Sequence, residues 1–309
     1  MPDPRSVLGV RQFDREYLEE IFRRADEMRA VVASGGSSRL RGRIMATLFF
    51  EPSTRTRLSF ESAMARLGGA VLSAEYARET SSAAKGETVE DTARIVESYA
   101  DVIVIRHPDG GSAARAAAVV DVPVINAGDG PYEHPTQALL DLYTIRSELG
   151  RIDNLRLALV GDLKYGRAPR SLALLALQTR GNELIFVAPP NVRMGDDVKH
   201  TLTGAGVAYR EESDLRSVLP EVDIVYQTRI QHERFASEAD YEAARGRYII
   251  DPDAMRLLRS EAILMHPLPR VDEIASDVDQ DPRAVYFSQA RNGVFVRMAL
   301  LDLLLGNGI

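Results

Sequence analysis

Residues 51 to 57 read Glu51-Pro52-Ser53-Thr54-Arg55-Thr56-Arg57, which places three hydroxyls and two guanidinium groups within five consecutive positions. The segment follows the apolar run Ile44 to Phe50 and precedes Leu58, Met64 and Leu67, whose spacing predicts a helix. Where a strand turns into a helix, side-chain donors, free backbone N–H groups and the positive end of the helix dipole converge. A phosphate is the ligand that suits such a cradle. Ser and Thr are also ordinary helix caps, and an Arg in a first helical turn is commonly just solvated. One hydroxyl suffices for a cap, however, and two cations at that end oppose the dipole unless an anion offsets them.

The elements that must position this segment follow from the rest of the chain. With 309 residues, 45% of them hydrophobic and 27% charged, the sequence is long enough for two domains with substantial cores. Short β-rich apolar runs at Ile44 to Phe50, Ala70 to Ser73, Val102 to Ile105 and Val124 to Asn126 alternate with amphipathic segments of helical length. A second set follows at Leu155 to Val160, Leu184 to Val187, Ile224 to Tyr226 and Ala262 to Met265. That rhythm predicts an α/β protein of two doubly wound parallel-sheet domains joined by helices. The expected boundaries are 1–140 for the first domain and 141–290 for the second, with a bridging helix over Thr136 to Leu149 marked by Leu139, Leu142, Ile145 and Leu149. The C-terminal stretch 291–309, nearly all apolar over Val294 to Leu305, is expected to pack back on the first domain.

Ligands of open α/β sheets bind beyond the carboxyl ends of the strands, and those positions are polar here. They hold Arg106-His107-Pro108, Asn126 to Gly130 followed by His134-Pro135-Thr136-Gln137, and Gly161 to Arg167. They also hold Thr228-Arg229-Ile230-Gln231 and His266-Pro267-Leu268-Pro269-Arg270. Each alone reads as a turn or a surface charge. Together they predict an active-site cleft between the domains, lined by Arg55, Arg106, His134, Arg167 and Arg229 and suited to substrates with several negative charges.

Composition narrows the chemistry. A net charge of −7 argues against nucleic acid as a partner, so the basic residues are read as local. The absence of cysteine removes disulfides, thiolate zinc sites and thiol nucleophiles, and the five histidines lack metal-motif spacing. No metal and no cofactor are expected. With no apolar run near the length of a membrane span and no signal-peptide core behind Asp3, Arg5 and Arg11, the expectation is a cytoplasmic protein without a membrane partner.

The same residues carry a resemblance that spans essentially the whole chain. Phe49 to Arg57, Lys85-Gly86-Glu87-Thr88, Arg106-His107-Pro108, Asn126 to Gly130 with His134 to Gln137, Gly161 to Arg167, Thr228 to Gln231 and His266 to Arg270 resemble the aspartate carbamoyltransferase family. The Ser-Thr-Arg-Thr signature marks carbamoyltransferases in general, whereas Lys85, Arg229 with Gln231, and Pro267 look like the aspartate branch. The resemblance implies transfer of a carbamoyl group from carbamoyl phosphate to L-aspartate in pyrimidine synthesis. It assigns Ser53, Thr54, Arg55, Thr56 and Arg106 to the phosphate. It assigns His134, Gln137, Pro267 and Leu268 to the carbamoyl group, and Arg55, Thr56 and His134 to the developing oxyanion. Arg167, Arg229 and Gln231 fall to the aspartate carboxylates. Ser81 and Lys85 would reach the site of a neighbouring subunit, so a homotrimer with shared sites is expected.

The second half resembles plant-type chains most, which are trimers without separate regulatory subunits. The residues themselves identify no regulatory partner or effector. One departure stands out: Arg167 is followed by Ala168, where the family commonly carries Thr. A carbamoyltransferase for another acceptor and a non-catalytic anion-binding homologue are the alternatives. A nucleotide kinase is disfavoured by the lack of a phosphate loop ending in Lys and Ser or Thr.

Overall fold

The computed structural model describes residues 5–75, 86–230 and 248–306. The chain divides into two compact units, Met1–Leu140 with Arg291–Ile309, and Asp141–Ala290. It passes from one unit to the other within the helix Pro135–Leu149 and back within the helix Tyr286–Leu305.

The first unit holds a sheet of β1 (Ile44–Phe49), β2 (Ala70–Glu75), β3 (Val102–His107) and β4 (Val124–Asp129), in the order β2-β1-β3-β4. All its pairings are parallel. Its strands bury Met45, Phe49, Ile103, Val104 and Ile125, the continuous apolar runs that a sheet covered on both faces requires. The C-terminal helix is tied into this unit by charge as well as by burial. Asp302 accepts from Arg24 Nη1 at 2.7 Å and Arg39 Nη1 at 3.1 Å, while the Arg297 guanidinium lies 5.0 Å over the Phe60 ring.

The second unit holds β5 (Arg156–Val160), β6 (Glu183–Val187), β7 (Ala208–Glu212), β8 (Ile224–Gln227) and β9 (Ile263–Met265), in the order β7-β6-β5-β8-β9. This sheet is likewise parallel throughout. Its core gathers Ala158, Val160, Ile185, Val187, Val225 and Leu264 with Leu219, Tyr248 and Ile250.

Two features differ from the sequence expectation. β7 carries Tyr209-Arg210-Glu211-Glu212 and shows no apolar run, because it is an edge strand whose charges are satisfied laterally. Arg210 Nη2 donates to Glu221 at 2.6 Å, and Lys199 sits 3.5 Å from Glu211. In addition, β3 and β4 run on into polar residues, so Arg106, His107 and Asp129 belong to the strands and not to loops beyond them.

Candidate active site

In each sheet the strand order reverses at one place, where neighbouring strands send their connections to opposite faces and a crevice opens at their carboxyl ends. In the first unit that place is between β1 and β3, and Phe49 pairs with Arg106 there. The helix Thr54–Arg66 starts beyond β1.

Its N-terminus is unusual. Ser53 occupies the cap position but makes no side-chain capping hydrogen bond, and the first turn holds no acidic residue. By contrast Asp14, Thr88, Asp214 and Asp251 each cap their own helices. A helix leaves its first N–H groups without intrahelical acceptors, so this end presents donors. Arg55 stands in that first turn, and among the described residues it has no hydrogen bond or ion pair. Burial holds its guanidinium below the ordinary arginine pKa, with no carboxylate pulling the other way.

Its neighbours differ. Arg57 turns to Glu61 at 3.1 Å and Glu75 at 2.8 Å and also reaches Ser73. The cradle of two guanidinium groups read from the sequence is therefore corrected to one, Arg55. Residues two apart on a helix lie about 200° apart around its axis. Arg106 forms an ion pair with Glu51, Nε to Oε1 2.8 Å, outside hydrogen-bond angles, and its Nη1 donates to Ala127 O at 3.4 Å. It is thereby held beside β1 and β4.

His134 is buried just before the helix Pro135–Leu149. Its Nε2 lies 3.5 Å from Thr56 Oγ1 and its Nδ1 3.5 Å from Thr136 Oγ1, both long contacts. Gln137 is also buried, its N–H donating to His134 O at 3.0 Å. Thus Thr56 and His134, 78 residues apart, meet in one place. Asp129 accepts from the N–H groups of Gly111 and Ser112 at 2.9 and 3.2 Å; burial raises its carboxyl pKa, with those donors partly offsetting. Burial lowers the pKa of His107, Asp109 partly opposing it.

In the second unit the order reverses between β5 and β8. Gly161 follows β5 with φ +112°, and a Cβ there would lie 2.3 Å from Thr228 O. Thr228 packs this close because both its N–H and its Oγ1 donate to Val160 O at 2.8 Å. The next residue, Arg229, is exposed beyond β8. Arg167 opens the helix Arg167–Leu175, whose cap Gly166 offers no side chain.

Beyond the adjacent β9, His266, Pro267 and Leu268 form a tight loop, with Leu268 in the left-handed region at φ +53°. Leu268 N–H donates to His266 Nδ1 at 2.8 Å, and His266 Nε2 meets Glu273 Oε1 at 2.7 Å. Sequence reasoning missed Glu273 and the Glu51–Arg106 pair; His266 and Glu273 stand seven apart in an irregular loop, where no periodicity signals a contact. Ser81, Lys85 and Gln231 lie outside the described residues.

A phosphate-type cradle on one parallel-sheet unit and arginines at the reversal point of a second define a class. The chain belongs to the aspartate/ornithine carbamoyltransferase family: residues 5–147 match its carbamoyl-P binding domain and residues 153–304 its Asp/Orn binding domain. The chloroplastic aspartate carbamoyltransferase of Arabidopsis thaliana is 60% identical over 301 residues, covering 97% of this chain and 77% of that protein. The catalytic subunit of M. jannaschii aspartate transcarbamoylase superposes with a TM-score of 0.92 at 44% identity, covering 97% of both chains. Aspartate transcarbamoylase from Trypanosoma cruzi, solved in complex with N-(phosphonacetyl)-L-aspartic acid, gives a TM-score of 0.90 at 43% identity, covering 96% of this chain and 94% of that one.

Proposed function

We propose that this chain is an aspartate carbamoyltransferase, transferring the carbamoyl group of carbamoyl phosphate to the amine of L-aspartate to give N-carbamoyl-L-aspartate and phosphate in pyrimidine synthesis. The observation that carries the reading is the uncapped start of the helix Thr54–Arg66, where Arg55 stands without a carboxylate partner among the described residues. A fold accepts donors and a cation at one helix end when a phosphate completes them.

The neutral amine of aspartate attacks the carbamoyl carbon. A C–N bond forms, the carbonyl oxygen takes negative charge, and the C–O bond to phosphate then breaks as the amine proton passes to the leaving phosphate. No covalent nucleophile is needed. The protein supplies positioning and donors for the developing charge. We assign Ser53, Thr54, Arg55, Thr56 and Arg106 to the phosphate, His134, Gln137 and the backbone of Pro267 and Leu268 to the carbamoyl group, and Arg55, Thr56 and His134 to the oxyanion. Arg167, Arg229 and Gln231 take the carboxylates through guanidinium forks and an amide.

The proposal includes a homotrimer in which Ser81 and Lys85 serve a neighbouring subunit's site, resting on the resemblance of the Lys85 segment to the family, and a cytoplasmic setting. Ala168 leaves the acceptor side one hydroxyl short of the common family pattern. Steady-state turnover with carbamoyl phosphate and a panel of amines tests the reading. Aspartate is expected to be carbamoylated at least about 10³-fold faster than ornithine, because a site built for a second carboxylate leaves its cations unpaired when that group is missing. Equal rates with both acceptors refute it.

A further inference from the structure

The loop after β9 is held by a chain of buried groups whose donors and acceptors specify one another. Asp141 is fully buried and, as a carboxylate, can only accept. Tyr226 OH donates to its Oδ2 at 2.7 Å, and Gln289 Nε2 donates to its Oδ1 at 2.6 Å. That fixes the Gln289 amide with its oxygen turned the other way, where it accepts from His266 N–H at 2.9 Å. The His266 ring is fixed in the same manner. A backbone N–H must donate, so the contact from Leu268 N at 2.8 Å makes Nδ1 the unprotonated nitrogen. Nε2 then carries the proton and donates to Glu273 Oε1 at 2.7 Å. The other Glu273 oxygen accepts from Val271 N–H at 3.1 Å and Asp272 N–H at 3.2 Å. Burial pushes the Glu273 carboxyl up, yet the His266 and backbone donors outweigh it and leave the group below its ordinary range.

Only 2% of His266 and 6% of Glu273 is exposed, so water does not compete for these bonds. Leu268 pays for this arrangement with a left-handed backbone at φ +53°, a conformation a leucine keeps only where its surroundings impose it. We propose that His266 and Glu273 are positioning residues for the carbamoyl transfer: the Glu273 carboxylate selects the Nε2–H tautomer of His266, whose Nδ1 holds Leu268 N–H and so sets the Pro267–Leu268 backbone against the carbamoyl group. This rests on the assignment of that backbone to the carbamoyl group made above.

Two substitutions at one position separate positioning from packing. In His266→Asn the amide oxygen takes the place of Nδ1 and keeps the bond to Leu268 N–H, but Glu273 loses its partner. In His266→Gln the amide nitrogen takes the place of Nε2 and keeps Glu273 paired, but Leu268 N–H is released. The expected losses in kcat are about 10²-fold for His266→Gln and roughly tenfold or less for His266→Asn, since misplacement of a reacting group by about 1 Å costs on the order of 10². KM for aspartate is expected to stay within about twofold in both, because neither change touches Arg167 or Arg229. The order of thermal stability should be the reverse, with His266→Asn the less stable.

Activity and stability falling in the same order, or kcat of wild-type size in His266→Gln, overturns the proposal. Should His266→Asn fail to fold, Glu273→Gln serves: its single amide oxygen cannot answer both His266 and the two backbone donors, so a fall in kcat of about tenfold at unchanged aspartate KM supports the proposal and unchanged kcat overturns it. A wild-type protein that does not turn over carbamoyl phosphate and aspartate removes the functional reading itself, and this inference with it.

Discussion

Replacing Arg55 with Ala separates what the residue does for the helix from what it does for a ligand, and the two effects have opposite signs. A hydrogen bond to a charged group contributes about 1.5–3 kcal/mol, and a guanidinium fork offers two of them to a phosphate. Because the pair is not additive, a loss of about 3–4 kcal/mol is expected, equivalent to roughly 10²–10³ in kcat/KM for carbamoyl phosphate. For stability the sign reverses. Arg55 is a cation in the first turn of the helix Thr54–Arg66, against the dipole, with no capping side chain beneath it. Removing it and installing Ala should gain about 0.3–1 kcal/mol, or about 1–4 °C in Tm for folding units of this size. The assay is steady-state kinetics with carbamoyl phosphate varied at saturating aspartate, beside a thermal melt of the same preparation. Activity within tenfold of wild type, or a Tm lowered by more than about 5 °C, would show that Arg55 serves the fold and not the phosphate.

Two other outcomes are expected. Burial keeps the folded-state pKa of His107 below its ordinary value, so the folded protein binds fewer protons than the unfolded chain in the window just below about pH 6.5; this stabilisation is complete above that window and is lost as pH falls through it. His107→Asn should flatten the pH dependence of the urea midpoint between about pH 7.5 and 5.5, and an unchanged slope would assign that dependence to other groups. If sites are shared in a homotrimer as proposed, mixing inactive Lys85→Ala and Arg55→Ala subunits should restore part of the activity, since a hybrid trimer would then contain sites with both native groups; no recovery despite measured subunit exchange counts against placing Lys85 in a neighbour's site.

Most of the two sheets was legible because a parallel strand buried on both faces has to be apolar along its length, as Ile103, Val104 and Ile105 are. The same rule hid β7, an edge strand that answers to lateral charge pairs and not to a core. It also cut β3 short at Ile105, because Arg106 and His107 keep the strand conformation after the apolar run ends. The side-chain pairing within the segment read as an anion cradle was not legible in detail. Glu61, four residues beyond Arg57, was the available signal that this arginine is held on its own helix. The missing Ser53 cap had no signal at all, because a serine reads identically in sequence whether its hydroxyl turns back to the helix or away from it. Glu273 was illegible for another reason: its partners are ring and backbone atoms of an irregular loop, and no spacing rule reaches such a loop.

The two units solve one electrostatic problem in the same way. In each, the first strand at the order reversal, β1 or β5, leads to a helix whose cap position gives no side-chain hydrogen bond and whose first turn contains an arginine and no acid, Arg55 in one and Arg167 in the other. Local rules favour the opposite choice at a helix start, a capping oxygen with Asp or Glu behind it, and other helices of this chain obey them, with Asp14 followed by Glu16 and Thr88 followed by Glu90 and Asp91. The helix Ser112–Ala117 also starts without a side-chain cap or a first-turn acid, but Asp129 accepts from the N–H groups of Gly111 and Ser112 there; deviations from local consistency concentrate where function demands them. Under the proposed reading, a donor carrying a phosphate and an acceptor carrying carboxylates bring an anion to each start, a use for arginines at these two positions in a chain of net charge −7.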